Sequence, residues 1–407
     1  MDELPSETDV FVIGGGPAGL AAAIAARRRG FEVVVADSAQ PPIDKACGEG
    51  LMPDGVAALA RLGVAATISH GFPFHGIRFV ENGSSAEACF PEGYGLGIRR
   101  PVLHQLLIER ALADGVVLRW ATPVSAFDAG AVEAGGRTVR CRWVLGADGT
   151  NSRVRRWAAL EPVWSSVMRV GLRQHFRVAP WTDFVEVHWH DRCQAYITPV
   201  GPNEICIALI GDRVGLRFAD LTVLFPELGR RLAGATPIGS TRGAVSVSTR
   251  LSRVIRGRLA LIGDASGSVD AITGEGLALA FRQATILAEA LSKNDLTIYQ
   301  AAHRRIGRMP RLMSRLMVGL GGRAAMRRRA LRVLSCRPRT FNRLLAVHVG
   351  ALQPSEACTG SACAAKPAIT TRTTRDVRRH RKTRGAKRRN VFMTPCRNGP
   401  ASGTIRG

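Results

Sequence analysis

Residues 10–19 read VFVIGGGPAG, and this short stretch decides how the chain can fold. Its first four residues are apolar and predict a buried parallel strand. Three glycines follow with the spacing G-x-G-x-x-G: Gly14, Gly16 and Gly19. The run LAAAIAARRR then predicts a helix, and the run FEVVVA predicts a second buried strand that ends at Asp37. This order of elements predicts a dinucleotide-binding unit. The alternative is a glycine-rich turn in an ordinary α/β domain.

Each conspicuous residue of this unit has a physical task. Gly14 permits the tight turn, Gly16 lets the backbone approach a pyrophosphate, and Gly19 lets the helix pack closely on the strand. The helix N-terminus offers unpaired N–H groups and a positive dipole end to the same pyrophosphate. Asp37 stands where a carboxylate can accept hydrogen bonds from ribose hydroxyls.

Length and composition narrow the class of protein. The chain has 407 residues, of which 46% are hydrophobic, so it can bury a large core. We find no apolar run long enough to span a bilayer, and the first residues, MDELPSETD, are not typical of a signal peptide. Nine scattered cysteines without a C-x-x-C pair favour reduced thiols in a cytoplasm and predict no metal site. His188 and His190 are interpreted as pocket or surface residues rather than as metal ligands.

Positive charge is concentrated towards the C-terminus. The net charge is +25, and residues 353–407 hold thirteen Lys and Arg against two acidic residues. This segment lacks periodicity and predicts a disordered, solvated tail, so a nucleic-acid partner is not favoured. Residues 299–352 are helical in pattern and strongly basic. They predict a pair of amphipathic helices packed on the body, and the alternative is a face that contacts a membrane surface.

Two further motifs follow other predicted strands, and together with the first they carry a family resemblance. Residues 144–153 read VLGADGTNSR, and residues 261–276 read LIGDASGSVDAITGEG. With GGGPAG and Asp37, these motifs resemble the p-hydroxybenzoate hydroxylase-like flavoprotein superfamily of aromatic hydroxylases, halogenases and geranylgeranyl reductases. The resemblance spans roughly residues 8–350. It implies tightly held FAD, with NAD(P)H or another electron donor binding only transiently.

The resemblance also implies roles for individual residues. Asp264 corresponds to the aspartate that holds the ribityl chain of the flavin, and the loop with Thr273, Gly274 and Gly276 brings backbone N–H groups to the isoalloxazine ring. Asp148 would serve the fold and the nicotinamide side. Arg100, in R-x-x-L-H-x-x-L, matches the family arginine that contacts FAD. The alternatives are that Arg100 is a surface charge or that Arg99 fills the role.

Two segments favour the geranylgeranyl reductase branch. The ending D-x-x-T-G-E-G of the third motif and the loop KACGEGL at residues 45–51 both look like those enzymes. Cys47 of this loop would lie near the substrate side of the flavin as the catalytic residue, and the alternative is a small residue that fills the loop. The third motif lacks the histidine that is usual in aromatic hydroxylases. The aromatic-rich strand of the reductases is mostly absent from residues 194–201, which read QAYITPVG.

We therefore expect an α/β protein with a Rossmann-like FAD-binding domain, an inserted antiparallel substrate domain and a C-terminal helical segment. The discontinuous FAD-binding domain comprises residues 8–65, 94–160 and 250–298. The substrate domain comprises residues 66–93 and 161–249, the basic helical segment residues 299–352, and the basic tail residues 353–407.

The function expected is that of an FAD-dependent oxidoreductase which reduces a C=C bond of a lipophilic, isoprenoid or polyketide-like small molecule. The alternatives are an FAD-dependent monooxygenase acting on an aromatic or polyketide substrate, and a non-catalytic flavin-binding module. The expected location is cytoplasmic, with peripheral membrane contact as a further expectation.

Overall fold

The structure is a computed structural model that describes residues 3–128, 130–166, 168–212 and 215–353. The predicted basic tail lies outside the described residues, apart from Gln353. Within the described residues the strands are β1 (Glu7–Ile13), β2 (Val33–Ala36), β3 (Gly50–Leu51), β4 (Phe72–Phe74), β5 (Gly76–Glu81), β6 (Ser84–Cys89), β7 (Gly95–Gly97), β8 (Val117–Arg119), β9 (Val124–Phe127), β10 (Ala131–Ala134), β11 (Arg137–Gly146), β12 (Pro162–Ser165), β13 (Arg169–Arg177), β14 (Phe184–Trp189), β15 (Cys193–Gly201), β16 (Glu204–Gly211), β17 (Thr236–Ser246), β18 (Thr249–Leu251), β19 (Ile255–Arg256) and β20 (Leu259–Leu261).

The α-helices of the same residues are α1 (Pro17–Arg27), α2 (Pro53–Arg61), α3 (Arg100–Ala113), α4 (Arg153–Trp157), α5 (Leu221–Leu224), α6 (Pro226–Arg231), α7 (Gly276–Ser292), α8 (Leu296–Ile306), α9 (Arg308–Gly321), α10 (Ala324–Cys336) and α11 (Pro338–His348).

The first motif builds the middle of a large sheet. Its main strand order is β19-β20-β11-β1-β2-β8, and β1 pairs in parallel with both β2 and β11. Helix α1 begins at Pro17, three residues earlier than the alanine run suggests, because proline is favoured in the first helical turn. The arrangement confirms the predicted α/β fold with a Rossmann-like unit.

The second sheet has seven strands in the order β17-β13-β16-β15-β14-β5-β6. It is antiparallel as predicted except for one pair, since β5 and β14 run in parallel. These two strands are far apart in the chain, so no hairpin turn fixes their relative direction. One face of this sheet packs on α5 and α6 through a cluster that includes Ile205, Ile207 and Leu228.

The C-terminal segment forms helices α8 to α11, where the sequence predicted a pair. Phe341 and Leu345 of α11 are buried in one cluster with Val187 and Trp189 of β14. The guanidinium of Arg327, in α10, is buried and lies 2.7 Å from the carboxylates of both Glu81 and Asp191. The helices are therefore packed on the second sheet, as the sequence favoured. Among the described residues, none of the helices has both the length and the apolar character needed to cross a bilayer.

Candidate active site

The glycines of the first motif differ in what surrounds them. A methyl group on Gly19 would overlap the carbonyl oxygen of Gly14, and one on Gly14 would lie 2.5 Å from the carbonyl oxygen of Ala147. Packing within the protein therefore demands both glycines. At Gly16, by contrast, the described residues place no atom within 4 Å of the position that a Cβ would take, apart from those of the adjacent backbone. The open space at this helix N-terminus fits a ligand pyrophosphate that approaches the backbone.

Asp37 shapes the same turn. One carboxylate oxygen accepts a hydrogen bond from the Gly15 N–H (2.7 Å) and the other accepts one from the Ala39 N–H (2.8 Å). His104, which the sequence analysis did not single out, donates from Nε2 to the Gly15 carbonyl oxygen at 2.8 Å. Burial lowers the pKa of His104, so its neutral form is favoured. The role of Asp37 towards a ribose stays a prediction.

Asp148 of the second motif acts on the protein itself. Its Oδ2 accepts hydrogen bonds from the N–H groups of Arg153 (2.7 Å) and Val154 (3.1 Å), at the start of α4. Asp148 does not belong to the lining of the central cavity, whereas its neighbour Thr150 does. The Thr150 hydroxyl donates a hydrogen bond to the Asp264 carboxylate at 3.3 Å, and this bond joins the second motif to the third.

The central cavity has a volume of about 510 Å³, and its lining combines two chemically different sets of residues, which are called here the polar end and the apolar end. The polar end collects six of the predicted site residues: Cys47, Arg100, Asp264, Thr273, Gly274 and Gly276. The apolar end is lined by side chains from the second sheet and the C-terminal helices, among them Phe79, Val187, Met313, Met317, Phe341 and Leu345. The structure thus brings together predicted residues from three separate parts of the chain: the loop at residues 45–51, the start of α3 and the third motif.

The polar end has further positions that fit a bound flavin. As at Gly16, a Cβ placed on Gly276 or on Gly48 would meet no atom of the described residues within 4 Å beyond the adjacent backbone. Gly276 is the first residue of α7, so the positive end of that helix faces the cavity. The Arg100 Nε is buried without a hydrogen-bond partner in the described protein. Open backbone, a helix N-terminus and an unpaired guanidinium nitrogen suit an electron-rich ring and a phosphate-bearing ligand.

The second sheet holds the loop of the third motif in place. Asp270 Oδ1 accepts a hydrogen bond from the Ile272 N–H (3.0 Å) and one from Arg169 of β13 (2.8 Å). The Tyr196 hydroxyl donates to the Ile272 carbonyl oxygen at 2.9 Å. Gly274 then turns the chain with φ of +66°, which favours glycine. Strands distant in sequence therefore position the loop that faces the cavity.

Two titratable groups that sequence reasoning missed meet beside this loop. Burial, together with the charge of Asp54, raises the pKa of Glu275 to about 8. Burial lowers the pKa of His348, the last residue of α11, to about 4. Although Glu275 Oε2 lies 3.8 Å from His348 Nδ1, both groups are neutral near pH 7. No local pattern in the sequence indicates that Glu275 and His348 meet, because α11 reaches the loop only through tertiary packing.

Cys47 lines the cavity and is half-buried. Its Sγ accepts a hydrogen bond from the Glu49 N–H at 3.4 Å, and its carbonyl oxygen lies 3.7 Å from the thiol of Cys206, which donates to it. Sequence reasoning also missed Glu49, which is buried and borders the cavity.

Comparisons with known proteins show to which proteins the chain is similar. The family model described as "FAD binding domain" matches residues 7–199. The chain is 30% identical over 327 residues to menaquinone reductase from Mycolicibacterium smegmatis, which covers 73% of this chain and 79% of that protein. It is 30% identical over 298 residues to digeranylgeranylglycerophospholipid reductase 1 from Methanopyrus kandleri, covering 67% and 76%. A solved flavoprotein/dehydrogenase from Cytophaga hutchinsonii shares the fold with a TM-score of 0.73 at 18% identity, over 84% of this chain and 93% of that one.

Proposed function

The chain belongs to the FAD-dependent oxidoreductases of the geranylgeranyl reductase branch, and from that premise we propose that it reduces a C=C bond of a lipophilic, isoprenoid-bearing substrate. The observation that carries the proposal is that one cavity is lined both by polar, glycine-rich segments and by many apolar side chains. FAD, when bound, would supply the hydride with electrons from NAD(P)H or another donor. Gly16, Arg100, Asp264 and Gly276 are the residues proposed to hold it.

The apolar end would bind the hydrocarbon part of the substrate. Phe79, Phe341 and Leu345 offer rigid surface, while Met313 and Met317 have flexible thioether chains that adapt to an irregular ligand. These side chains also exclude water from the reacting carbons. Most of the aromatic residues typical of the family are missing from β15, and the helical wall from α9 and α11 is proposed to take over their packing role.

Cys47 is proposed as the proton donor. Hydride addition to one alkene carbon leaves negative charge on the other carbon, which must receive a proton. Transfer of the thiol proton forms the second C–H bond and leaves a thiolate. The Glu49 N–H, 3.4 Å from Sγ, is placed to stabilise that thiolate until solvent returns a proton.

Paired variants test this role of Cys47. Cys47→Ser and Cys47→Ala should both retain FAD, because the Cys47 side chain is not among the groups proposed to hold it. Turnover should fall in both variants, and more in Cys47→Ala, since alanine has no exchangeable proton. Wild-type turnover in both variants would mean that Cys47 only fills the loop and would remove it from the mechanism.

The monooxygenase alternative makes a different demand on oxygen. An alkene reductase consumes one reductant per product without oxygen, whereas a monooxygenase consumes oxygen and inserts one of its atoms. Oxygen uptake stoichiometric with substrate turnover would therefore favour the alternative.

Peripheral contact with an anionic membrane is the second part of the proposal. Leu316 of α9 and Leu344 of α11 line the cavity, yet they are 54% and 42% exposed, so they form its rim. Leu312, one turn before Leu316, is 50% exposed. Residues 299–352 contain many arginines and neither Asp nor Glu. An apolar rim surrounded by positive charge suits the surface of an anionic bilayer, from which a lipid substrate would enter.

A further inference from the structure

The loop that carries Cys47 has an unusual backbone at Glu49. This residue has φ of +58°, a left-handed conformation that side chains other than glycine rarely adopt, and it is only 3% exposed. Glycines flank it on both sides and could have taken the turn without strain. A buried glutamate at this point indicates that its carboxylate is needed there.

The Glu49 carboxylate connects three parts of the fold. Oε1 accepts a hydrogen bond from the Arg100 N–H at the start of α3 (3.0 Å), and Oε2 lies 2.6 Å from His175 Nε2 of β13. The Glu49 carbonyl oxygen also accepts from the Ile98 N–H at 2.9 Å. The carboxylate therefore joins the Cys47 loop to a helix on one side and to the second sheet on the other.

Arg173 of β13 ties both ends of this loop. Its Nη2 donates to Asp44, just before the loop, at 2.6 Å, and its Nη1 lies 3.5 Å from Glu49 Oε1, just after Cys47. Arg173 is only 2% exposed, so solvent does not screen these contacts. The segment from Asp44 to Glu49 is thus clamped to one buried cation while Cys47 lies between the two anchors.

A metal site is the other role that these residue types suggest. Ligand atoms of Glu49, His175 and Cys206 all lie within 4.8 Å of one another. The guanidinium of Arg173, however, lies 3.0 Å from His175 Nδ1 and 3.5 Å from Glu49. Positive charge is already present at the centre of the cluster, which disfavours a divalent cation.

We propose that Glu49 is a positioning residue whose carboxylate, held by His175 and Arg173, keeps Cys47 at the wall of the cavity. The inference rests on the proposed function only for the chemical use of Cys47. The position of the thiol can be measured without any turnover, so failure of the one claim is distinguishable from failure of the other.

The test is alkylation of the FAD-loaded protein with iodoacetamide, followed by mass spectrometry of each cysteine peptide. Glu49→Gly removes the carboxylate and suits the left-handed backbone, so the loop loses its anchor without added strain. Glu49→Gln keeps the size but removes the charge. Glu133→Gln is the matched control, because it alters an exposed carboxylate on the hairpin of β10 and β11.

The alkylation rate of Cys47 should rise about tenfold or more in Glu49→Gly, because a charge-assisted hydrogen bond shifts a local opening equilibrium by at least that factor. Glu49→Gln should give a smaller rise, and Glu133→Gln none. Exposed Cys336 should react at one rate throughout, and buried Cys141 should stay protected.

Three outcomes would overturn the proposal. The first is an unchanged or slower Cys47 rate in Glu49→Gly. The second is loss of protection at Cys141 together with Cys47, since general unfolding would then explain the effect. The third is stoichiometric zinc in the purified wild-type protein that Glu49→Gly loses, which would make the cluster a metal site.

Discussion

The two ends of the cavity are built in different ways. At the polar end, loops present backbone to the ligand, and Gly48 and Gly276 leave open space where side chains would stand. Gly16 of the first motif, which is not part of the cavity lining, leaves similar space at the start of α1. At the apolar end, the wall consists of side chains from α9, α11 and the second sheet, which are far apart in sequence. The cofactor end therefore depends on backbone conformation, whereas the substrate end depends on packing that many hydrophobic residues can satisfy.

The first prediction, which has the largest expected effect, contrasts Gly19 with Gly16 of the first motif. Gly19→Ala forces a methyl group into the Gly14 carbonyl and should cost roughly 3 kcal/mol of stability. Gly16→Asp places a good N-cap residue in open space, so the melting temperature should hold while FAD affinity falls by about 100-fold, because the carboxylate repels the pyrophosphate. Thermal melts and FAD titrations of both variants measure this. Equal loss of stability in both would break the distinction between packing glycines and ligand glycines.

The same contrast explains what the sequence predicts and what it does not. The turn at residues 14–19 owes its shape to local residues, so the spacing of its motif predicted a Rossmann-like unit with a dinucleotide site, and the family resemblance of the three motifs implied FAD. Glu49 with His175, and Glu275 with His348, meet only through tertiary packing. A single sequence holds no local signal for such pairs, and the parallel pairing of β5 with β14 was missed for the same reason.

The second prediction concerns Glu275, which lies in the loop of the third motif beside His348 of α11. Its pKa is raised to about 8, so the folded protein keeps a proton that the unfolded chain loses near its ordinary value of 4.5. The contribution of Glu275 to stability should therefore fall as pH rises from about 4.5 to about 8 and level off above. Glu275→Gln remains neutral, so its advantage in stability over the wild type should grow across this window by a few kcal/mol. Thermal melts at pH 5 and pH 8 check this, and a difference that does not change with pH would contradict it.

The third prediction concerns Asp37, beside the glycine-rich turn of the first motif. Asp37→Ala removes acceptors for the Gly15 N–H and for the expected ribose hydroxyls. FAD affinity should fall by about 1.5–3 kcal/mol, the range for hydrogen bonds to a charged group. The dissociation constant from FAD fluorescence provides the measurement. An unchanged constant would exclude Asp37 as the ribose ligand.

The fourth and smallest effect concerns the apolar rim. Leu316→Glu should weaken binding to vesicles of anionic phospholipid by about 1–2 kcal/mol, because it removes apolar contact and adds repulsion. FAD content and melting temperature should stay at wild-type values. Val223→Glu, at a 77% exposed position on α5, is the matched control and should bind vesicles normally. Equal vesicle binding by all three proteins would argue against a membrane-facing rim.

The most direct test of the central claim is the product of one anaerobic turnover in D₂O. The purified protein is loaded with FAD and is reduced by an unlabelled reductant that has equilibrated with the solvent. It is then mixed with polyprenyl quinones or prenylated phospholipids, and the product is analysed by mass spectrometry. The account predicts a product with one C=C bond fewer that carries solvent deuterium at the carbon protonated by Cys47. A substrate left intact without oxygen and converted to an oxygen-containing product on admission of air would contradict it.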